Sequence, residues 1–409
     1  MAATTETAAS SAPTEAEMGR LFGADVEITA LSAADRMGRR VRGIDLSRAL
    51  TADQALCLVS LLDHHHIVSF PDQGRESFVL SDLERLANHF GAPIPHPSNY
   101  ANYGAVDEPL RLKEPADRAH SLTNLAFPED ITCTEGADSA AVLVVTNLIG
   151  SGRAEEPQIQ GGLHWHTDIE FEPEPLSTSM FYVQRTPIVA GDGTATWVTN
   201  PPREPGYYHP DSSQRLSELR EVLPLNGETA YADTAAAYAE LPEAEQERLE
   251  TVMVRRRLRK RDPGWLVPLV YTNPRTGTKS LHSPVWASRG KRVAPAQIEG
   301  LNEDESREFL DRLEEHVLQP QFRYDHVHTP GDVTMWSNFA TLHDAPPYKS
   351  SINTPDDARL MFRVSCKGRP SATLPRNDSD EWIAANLVPP YRTPLTSKDG
   401  SGSGGAGVA

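Results

Sequence analysis

The sequence predicts a mainly β protein, a β-sandwich or jelly roll that carries helical insertions. Short apolar runs separated by Pro, Gly and Asn dominate the second half of the chain, which is typical of strands joined by turns. Three segments with helical periodicity interrupt these runs. Strands in this number, with helices inserted between them, favour two packed sheets over a helical bundle.

Each element follows from its local pattern. Thr51 and Ser81 predict helix N-termini because their hydroxyls can cap the first backbone N–H groups, and Gly91 predicts a helix end. Apolar runs bounded by turn residues predict the strands. The predicted strands cover residues 26–29, 40–43, 67–70, 141–148, 176–184, 266–271, 333–336 and 360–365, and the predicted helices cover residues 51–63, 81–90, 212–222, 234–254 and 303–317.

The chain has 409 residues, and about 150 residues per domain would give two or three domains. However, no internal repeat and no long linker divides the sequence, so we expect one main domain over residues 20–395. Residues 1–19 have no large apolar side chain between Met1 and Met18, and a disordered tail is expected there. The Gly- and Ser-rich residues 396–409 are expected to form a flexible tail.

Composition excludes several classes of function. Lys and Arg number 39 against 57 Asp and Glu, and the resulting net charge of −18 opposes binding to nucleic acid or anionic membranes. Cys57, Cys133 and Cys366 are far apart and form no disulfide framework. No run reaches the ~20 apolar residues of a membrane span, and the N-terminus lacks signal-peptide features. We therefore expect a cytoplasmic protein with a small-molecule substrate, no nucleic-acid or membrane partner, and homo-oligomerisation left open.

The segment from Gly161 to Phe171 carries the most informative motif. On a strand, residues i and i+2 share a face, so His166 and Asp168 would project together. A second imidazole from a distant strand would complete a two-histidine, one-carboxylate set, which leaves coordination positions open on Fe(II). His343 is the candidate for that imidazole. The tripeptide alone is weak, because a structural histidine also fits it.

The sequence resembles the taurine dioxygenase and 2,4-dichlorophenoxyacetate dioxygenase family of Fe(II)/2-oxoglutarate-dependent oxygenases from about residue 25 to residue 370. Several segments match in order, and together they are far more specific than any one of them. These segments are Gly38–Ser47, His66–Gln73, Phe90–Gly91 with His96–Pro97, Trp165–Asp168 with Phe171, Gly191–Thr194, Asn273–Gly277, Pro330–Val333, Trp336–His343 and Arg359–Arg363.

The resemblance implies a double-stranded β-helix of the jelly-roll, cupin-like type, with Fe(II), 2-oxoglutarate as cosubstrate, and O2. It makes His166, Asp168 and His343 the iron ligands. Arg359 corresponds to the arginine that holds the distal carboxylate of 2-oxoglutarate through two charge-assisted hydrogen bonds. Thr194 corresponds to a hydroxyl donor to the same carboxylate, and Thr196 on the same strand face is the alternative.

The resemblance also implies where a substrate would bind. Arg363 and His96 correspond to residues that bind the anionic group in sulfonate-oxidising members of the family. Phe171 and Ile169 would line that pocket, and Tyr100 would belong to it although the spacing from His96 is one residue longer than usual.

Two further departures from the family pattern limit what can be carried over. Ser337–Phe339 replaces a common Asp-Asn-Arg, so contacts around the metal ligands are expected to be rearranged. The insertion from about 110 to 138 has no counterpart, so substrate identity does not transfer.

The implied activity is oxidation of an unactivated C–H bond of a small carboxylate, amino acid or sulfonate, with succinate and CO2 as co-products. Hydroxylation is the default outcome. Desaturation or cyclisation in natural-product tailoring is an alternative, and a non-catalytic iron and 2-oxoglutarate sensor is an alternative of another class.

Other polar clusters have simpler interpretations. His164 shares the strand face of His166 and is expected to support the site rather than to bind metal. The run His64–His66 is expected to end a helix, where imidazoles favour the negative end of the helix dipole. The basic run Arg255–Arg261 is expected to form a solvated surface neutralised by Glu243, Glu247 and Glu250.

Overall fold

Two facing β-sheets with helices packed on them form the core of the part of the chain that the structure describes, and three further sheets have two or three strands each. The structure is a computed structural model. It describes residues 11–32, 37–74, 77–96, 99–101, 111–114, 117, 140–148, 158–160, 164–171, 175–188, 197–198, 212–260, 264–288, 293–352 and 354–368.

The helices and strands alternate irregularly along these residues. The α-helices are α1 (Glu15–Phe22), α2 (Ala52–His65), α3 (Leu80–Asn88), α4 (Gln214–Glu221), α5 (Thr234–Ala239), α6 (Glu243–Glu250) and α7 (Glu303–Val317). The strands are β1 (Glu27–Ala30), β2 (Arg39–Arg42), β3 (Ile67–Phe70), β4 (Ala92–Pro93), β5 (Leu143–Thr146), β6 (Gln158–Gln160), β7 (Leu176–Arg185), β8 (Thr229–Asp233), β9 (Met253–Arg256), β10 (Trp265–Pro268), β11 (Val270–Thr272), β12 (Lys279–Leu281), β13 (Gln297–Ile298), β14 (Arg323–His326), β15 (Val333–Ser337), β16 (Thr341–Asp344), β17 (Tyr348–Ser351) and β18 (Leu360–Lys367).

The large sheet has the strand order β1-β2-β3-β15-β7-β18-β4, with β5 paired to β18. Its central strands β15, β7 and β18 pair antiparallel and are nearly fully buried. One face packs against α1, α2 and α3 through a cluster that includes Leu58, Phe70, Leu83 and Phe362. Burial on both faces explains why these strands read as continuous apolar runs in the sequence.

The small sheet has the order β14-β8-β16 and lies against the other face of the large sheet. Tyr231 of β8 packs in one apolar cluster with Phe181, Trp336 and Met361 of the large sheet. The outer face of the small sheet packs on the later helices through a separate cluster that contains Ala230, Leu342 and Leu313. Two sheets with an apolar layer between them and helices outside confirm the predicted jelly roll with helical insertions.

Two predicted elements divide in the structure. The helix predicted over 234–254 is broken into α5 and α6 at Leu241 and Pro242, because proline disfavours helical backbone before it and lacks an N–H group. The strand predicted over 266–271 divides into β10, which pairs with β9, and β11, which pairs with β12. None of the described helices combines the length and apolarity that a membrane crossing requires.

The disorder predicted for residues 1–19 is wrong for residues 15–19, which belong to α1. Thr14 and Glu17 form a capping box, and Gly23 ends the helix in the left-handed conformation. Met18 is fully buried in the cluster beneath the large sheet. One large apolar side chain and good capping are therefore enough to hold this short helix against α2.

Helices α4 and α7 are joined by two buried ion pairs of Arg220, with Glu314 and Asp311, and by an exposed ion pair. The Arg220 guanidinium donates from Nε and NH2 to both carboxylate oxygens of Glu314 at 2.7 and 2.5 Å. Both of these side chains are at most 5% exposed. Burial raises the pKa of the Glu314 carboxyl, and the Arg220 charge opposes that shift. Arg215 of the same helix pairs with Glu315 at 3.3 Å, but its side chain is 65% exposed.

We expect Arg220→Ala to lower the free energy of unfolding by about 3 to 5 kcal/mol, because it leaves a buried carboxylate without its cation. Arg215→Ala, the matched control on the same helix, should cost less than about 1 kcal/mol since water screens that pair. Urea denaturation of the two variants measures both values. Equal small losses would contradict the account of the buried pair.

Candidate metal centre

Three buried side chains converge between the two sheets: His166, Asp168 and His343. Their potential ligand atoms all lie within 4.8 Å of one another, and among the described residues they are the group of three that could hold a metal ion. The residues are 3%, 1% and 5% exposed. Two imidazoles and one carboxylate form the donor set that non-heme Fe(II) sites use, so the residues present fit that ion.

Backbone pairing positions the two histidines. His343 lies on β16, and the segment of His166 pairs with it as an antiparallel bridge. His166 N–H donates to the His343 carbonyl at 3.0 Å, and His343 N–H donates back at 2.9 Å. The ring centroids are 4.3 Å apart. Residues 166 and 343 are 177 positions apart in the sequence, so only tertiary structure brings them together.

The tautomer of His166 is set by its neighbour in the chain. His166 Nδ1 lies 2.6 Å from the carbonyl oxygen of His164, and a carbonyl can only accept a hydrogen bond. Nδ1 therefore carries the proton, and Nε2 carries the lone pair that a metal requires. His164 thus supports the site through its main chain, while its own imidazole is buried at 4% exposure.

The Asp168 carboxylate is held by side chains of the large sheet. Ser179 of β7 donates from Oγ to Oδ2 at 2.7 Å, and Arg363 of β18 donates from NH1 to Oδ1 at 3.0 Å. Asn338, just after β15, donates from Nδ2 to the Ser179 Oγ at 3.0 Å. His343 Nε2 lies 3.8 Å from Asp168 Oδ1. These contacts fix the orientation of the carboxylate relative to His343.

Asn338 is the middle residue of Ser337–Phe339, the segment that departs from the family pattern. Its Oδ1 accepts from Trp336 Nε1 at 3.2 Å and from the Asp168 backbone N–H at 3.5 Å. Phe339 stacks on Tyr271 with ring centroids 4.0 Å apart, away from these contacts. Within this segment, Asn338 is therefore the residue that supports the candidate metal centre, through Ser179 and the Asp168 backbone N–H.

Arg359, directly before β18, is buried without a carboxylate partner among the described residues. It is 7% exposed, and Asn147 and Thr146 hold its main chain. Burial lowers the pKa of its guanidinium, and interactions with Tyr348 and Tyr231 oppose that shift. A buried cation of this kind is costly unless an anion accompanies it, so the position favours an anionic ligand.

Arg363 differs from Arg359 because it already has a protein partner. One of its N–H donors is used by Asp168, and its side chain is 16% exposed. The remaining edge of the guanidinium has the fork geometry that suits a carboxylate or sulfonate. Arg363 can therefore join Asp168 to a ligand on its other side.

The residues predicted to line a substrate pocket are only partly brought together. Ile169 and Phe171 form one apolar cluster with Ile94, two residues before His96. His96 and Tyr100 are buried, at 7% and 6% exposure. Ile169 has φ of 52°, a strained conformation for a β-branched residue, directly after Asp168. Thr194, its alternative Thr196 and most of the 110–138 insertion lie outside the described residues.

Sequence reasoning missed the polar face of β8, formed by Thr229, Tyr231 and Asp233. The intervening Ala230 and Ala232 point into the opposite apolar cluster. Thr229 Oγ1 lies 2.8 Å from His328 Nε2, and His328 interacts electrostatically with Arg359. The strict alternation of polar residues and alanine at 229–233 is a period-two signal that could have identified this face.

The other clusters have the following outcomes. His64 and His65 end α2 as expected, and His66 caps it with φ of 64° and its Nδ1 3.5 Å from an Asp233 oxygen. The expectation of a solvated basic run is wrong for Arg256, which is 3% exposed and donates to the carbonyls of His282 and Ser283 at 2.9 and 2.7 Å. Arg256 lies on the buried face of β9, which overrides the composition of the run.

Glu250 was one of three expected neutralising partners of that run. Instead, its carboxylate accepts from Lys279 and Tyr238, at 2.6 and 2.8 Å.

The chain is similar in sequence to one dioxygenase family and to several characterised proteins. A model of the taurine catabolism dioxygenase TauD, TfdA family matches residues 204–365. Pentalenolactone F synthase of Streptomyces arenae is 28% identical over 225 residues, which cover 54% of this chain and 68% of that protein. The (S)-phenoxypropionate/alpha-ketoglutarate-dioxygenase of Sphingobium herbicidovorans is 30% identical over 188 residues, 40% of this chain and 61% of that protein. The match therefore spans less than two thirds of the second relative.

A solved structure agrees over a larger share of the chain. The crystal structure of AAD-2 in complex with Mn(II) and N-oxalylglycine superposes with a TM-score of 0.51 at 20% identity. The superposition covers 85% of this chain and 99% of that one. At this identity the likeness shows the fold, which agrees with the jelly roll described above.

We expect His166→Ala, Asp168→Ala and His343→Ala each to abolish binding of Mn(II), measured by calorimetry on the purified protein. Removing one of three protein ligands leaves too few donors for a stable site. His164→Ala is the matched control and should keep the metal, because its contact with His166 is made by the main chain. Wild-type affinity in any of the first three variants would contradict the assignment.

Proposed function

We propose that the chain is a member of the taurine catabolism dioxygenase TauD, TfdA family and a non-heme Fe(II)/2-oxoglutarate-dependent dioxygenase that oxidises an unactivated C–H bond of a small anionic substrate. The observation that carries this proposal is the buried set of His166, Asp168 and His343, together with the buried cation Arg359, which interacts with Tyr231, the cross-strand neighbour of His343. The set of three fits a metal, and the cation fits a carboxylate.

The proposed roles divide between the metal and the chain. Fe(II) held by these three residues would supply the oxidation, in which O2 and 2-oxoglutarate give succinate and CO2. The chain orients Asp168 through Ser179 and Arg363, and it fixes the His166 tautomer through the His164 carbonyl. The apolar layer between the sheets keeps water from the reacting groups.

The cosubstrate is proposed to pair with Arg359 through its distal carboxylate. The lack of a carboxylate partner among the described residues supports this role, since 2-oxoglutarate would provide the missing anion. Thr194 or Thr196 is proposed as an additional hydroxyl donor, on the strength of the family resemblance alone.

The substrate is proposed to be a carboxylate, an amino acid or a sulfonate that pairs with Arg363 and His96. Ile169 and Phe171 supply an apolar wall close to Asp168, and Tyr100 is proposed to border the pocket. A cationic substrate would meet an arginine in a desolvated site, whereas an anion gains a bidentate partner. The name of the Sphingobium relative, a phenoxypropionate dioxygenase, supports an acidic substrate.

A tailoring reaction is the second candidate within the same family. Pentalenolactone F synthase among the relatives favours it, because that name denotes synthesis of a natural product. Desaturation or cyclisation needs the same metal and cosubstrate site and differs only in how the oxidised substrate reacts further. Product analysis by mass spectrometry distinguishes a gain of one oxygen atom from a loss of two hydrogens.

A non-catalytic iron and 2-oxoglutarate sensor is the candidate of another class. Incubation with Fe(II), 2-oxoglutarate, ascorbate and candidate substrates tests it, because an enzyme releases succinate in proportion to substrate. Failure of every small acid to stimulate succinate release would favour the sensor.

We propose the partners, localisation and domain organisation of the protein from its sequence. The net charge of −18 supports a partner that is neither nucleic acid nor an anionic membrane, and we place the protein in the cytoplasm. One catalytic domain to about residue 395, with a flexible tail over 396–409, remains our proposed organisation. Its N-terminal boundary moves from residue 20 to the start of α1. Size-exclusion chromatography would establish the oligomeric state.

We expect Arg359→Ala to raise the 2-oxoglutarate concentration at half-maximal turnover by roughly ten- to a hundredfold, since about 1.5 to 3 kcal/mol of charge-assisted hydrogen bonding is lost. Arg359→Lys, which keeps the charge but not the fork, should fall between this variant and the wild type. Steady-state succinate assays measure the effect. A large cosubstrate defect in Arg363→Ala, with none in Arg359→Ala, would show that the two arginines are assigned in the wrong order.

We expect conversion of the substrate's acid group to an ester or amide to raise KM, because the pairing with Arg363 is lost. Arg363→Leu should raise KM for the acid and leave KM for the ester nearly unchanged, at metal concentrations that saturate both proteins. Full turnover of a neutral amine would refute the anionic substrate and leave the metal assignment intact.

A further inference from the structure

Tyr231 lies against the candidate metal centre at the middle of β8. It is fully buried, and its cross-strand neighbours are His343 on β16 and Tyr324 on β14. Its ring centroid is 6.2 Å from that of His343 and 5.7 Å from that of Trp336. No role in the proposed reaction has yet been given to this side chain.

The hydroxyl of Tyr231 has no hydrogen-bond partner among the described residues. Buried hydroxyls are rarely left in this condition, because each loses its hydrogen bonds to water on folding. Neighbouring tyrosines do not share it: Tyr324 Oη lies 2.9 Å from His326 Nδ1, and Tyr238 donates to Glu250 at 2.8 Å. Tyr231 therefore differs from Tyr324, its cross-strand neighbour on β14.

Two opposite charges act on the Tyr231 side chain. Burial raises its pKa well above the ordinary value, Tyr324 and Asp168 raise it further, and Arg359 lowers it. A tyrosine hydroxyl is protonated at neutral pH and can therefore donate a hydrogen bond. Tyr231 also packs in one apolar cluster with Met361, which lies two residues after Arg359 and two before Arg363, so its ring faces the part of the large sheet that carries both arginines.

A carboxylate paired with Arg359 would have acceptor sites to spare. Its two oxygens offer about four lone-pair positions, and a bidentate guanidinium uses two of them. Tyr231 supplies a neutral donor from the facing sheet, and it needs an acceptor that the described protein does not provide. The carboxylate has acceptor positions left over and the hydroxyl lacks an acceptor, so a hydrogen bond between them would satisfy both.

We propose that the Tyr231 hydroxyl donates a hydrogen bond to the 2-oxoglutarate carboxylate that pairs with Arg359. This inference rests on the proposed function and adds a residue that none of the matched family segments contains. It makes Tyr231 a determinant of selectivity for 2-oxo acids with a second carboxylate over those without one.

The test compares Tyr231→Phe with Tyr324→Phe in the Mn(II)-loaded full-length protein. Calorimetry measures the Kd of 2-oxoglutarate and of 2-oxobutyrate, which lacks the distal carboxylate. Tyr231→Phe should raise the Kd of 2-oxoglutarate about tenfold, the loss expected for one hydrogen bond to a charged group, and change that of 2-oxobutyrate less than about twofold. Tyr324→Phe should leave both values near those of the wild type.

Thermal unfolding without ligand supplies a readout that is independent of binding. Tyr231→Phe removes a hydroxyl with no partner, so its Tm should equal or exceed that of the wild type. Tyr324→Phe breaks a bond present in the fold and should lower Tm. A lower Tm in Tyr231→Phe would show that the hydroxyl serves the fold and would overturn the proposal.

Two binding results would also overturn it. An unchanged Kd of 2-oxoglutarate in Tyr231→Phe would exclude the hydrogen bond, and an equal loss for both ligands would place the hydroxyl away from the distal carboxylate. If the wild type does not bind 2-oxoglutarate at all, the proposed function itself fails. That result is distinguishable because it appears before any substitution is made.

Discussion

The compensation of one buried charge, the Asp168 carboxylate, is the constraint on which the rest of the site depends. At 1% exposure it has lost its hydration, and such a charge is stable only when donors or cations replace the water. Ser179 and Arg363 do so from adjacent strands of the large sheet, while His343 approaches from the small sheet. The register of β7 and β18 and the closure of the two sheets therefore decide whether the metal ligands meet.

The same constraint separates the roles of two arginines that lie four residues apart. Asp168 partly neutralises the charge of Arg363. Arg359 interacts with two tyrosines and, among the described residues, with no carboxylate. A fold that buries a cation without an anion is stabilised when an anionic ligand binds. We therefore propose that Arg359 and Tyr231 form a site that the binding of a dicarboxylate completes.

Features that depend on neighbouring residues could be predicted from the sequence, whereas contacts between segments far apart in the chain could not. The spacing of His166 and Asp168 and the ordered family segments identified the candidate ligands. Each predicted strand overlaps an observed one, but the strands of the small sheet, β8, β14 and β16, were not predicted. The contacts of Ser179, Asn338 and Tyr231 depend on strands far apart in the chain, so no local pattern could specify them. Composition failed for Arg256 and Met18, because one buried position on a strand or helix outweighs the polarity of its neighbours.

The most direct test of this account is an anaerobic titration of the Fe(II)-loaded protein with 2-oxoglutarate, followed by visible absorption. Chelation of Fe(II) by a 2-oxo acid gives a charge-transfer band, so the account predicts a band that saturates at one 2-oxoglutarate per chain. Absence of the band, with one Fe(II) bound per chain, would contradict it. The metal would then be held without the open positions on which the proposed reaction depends.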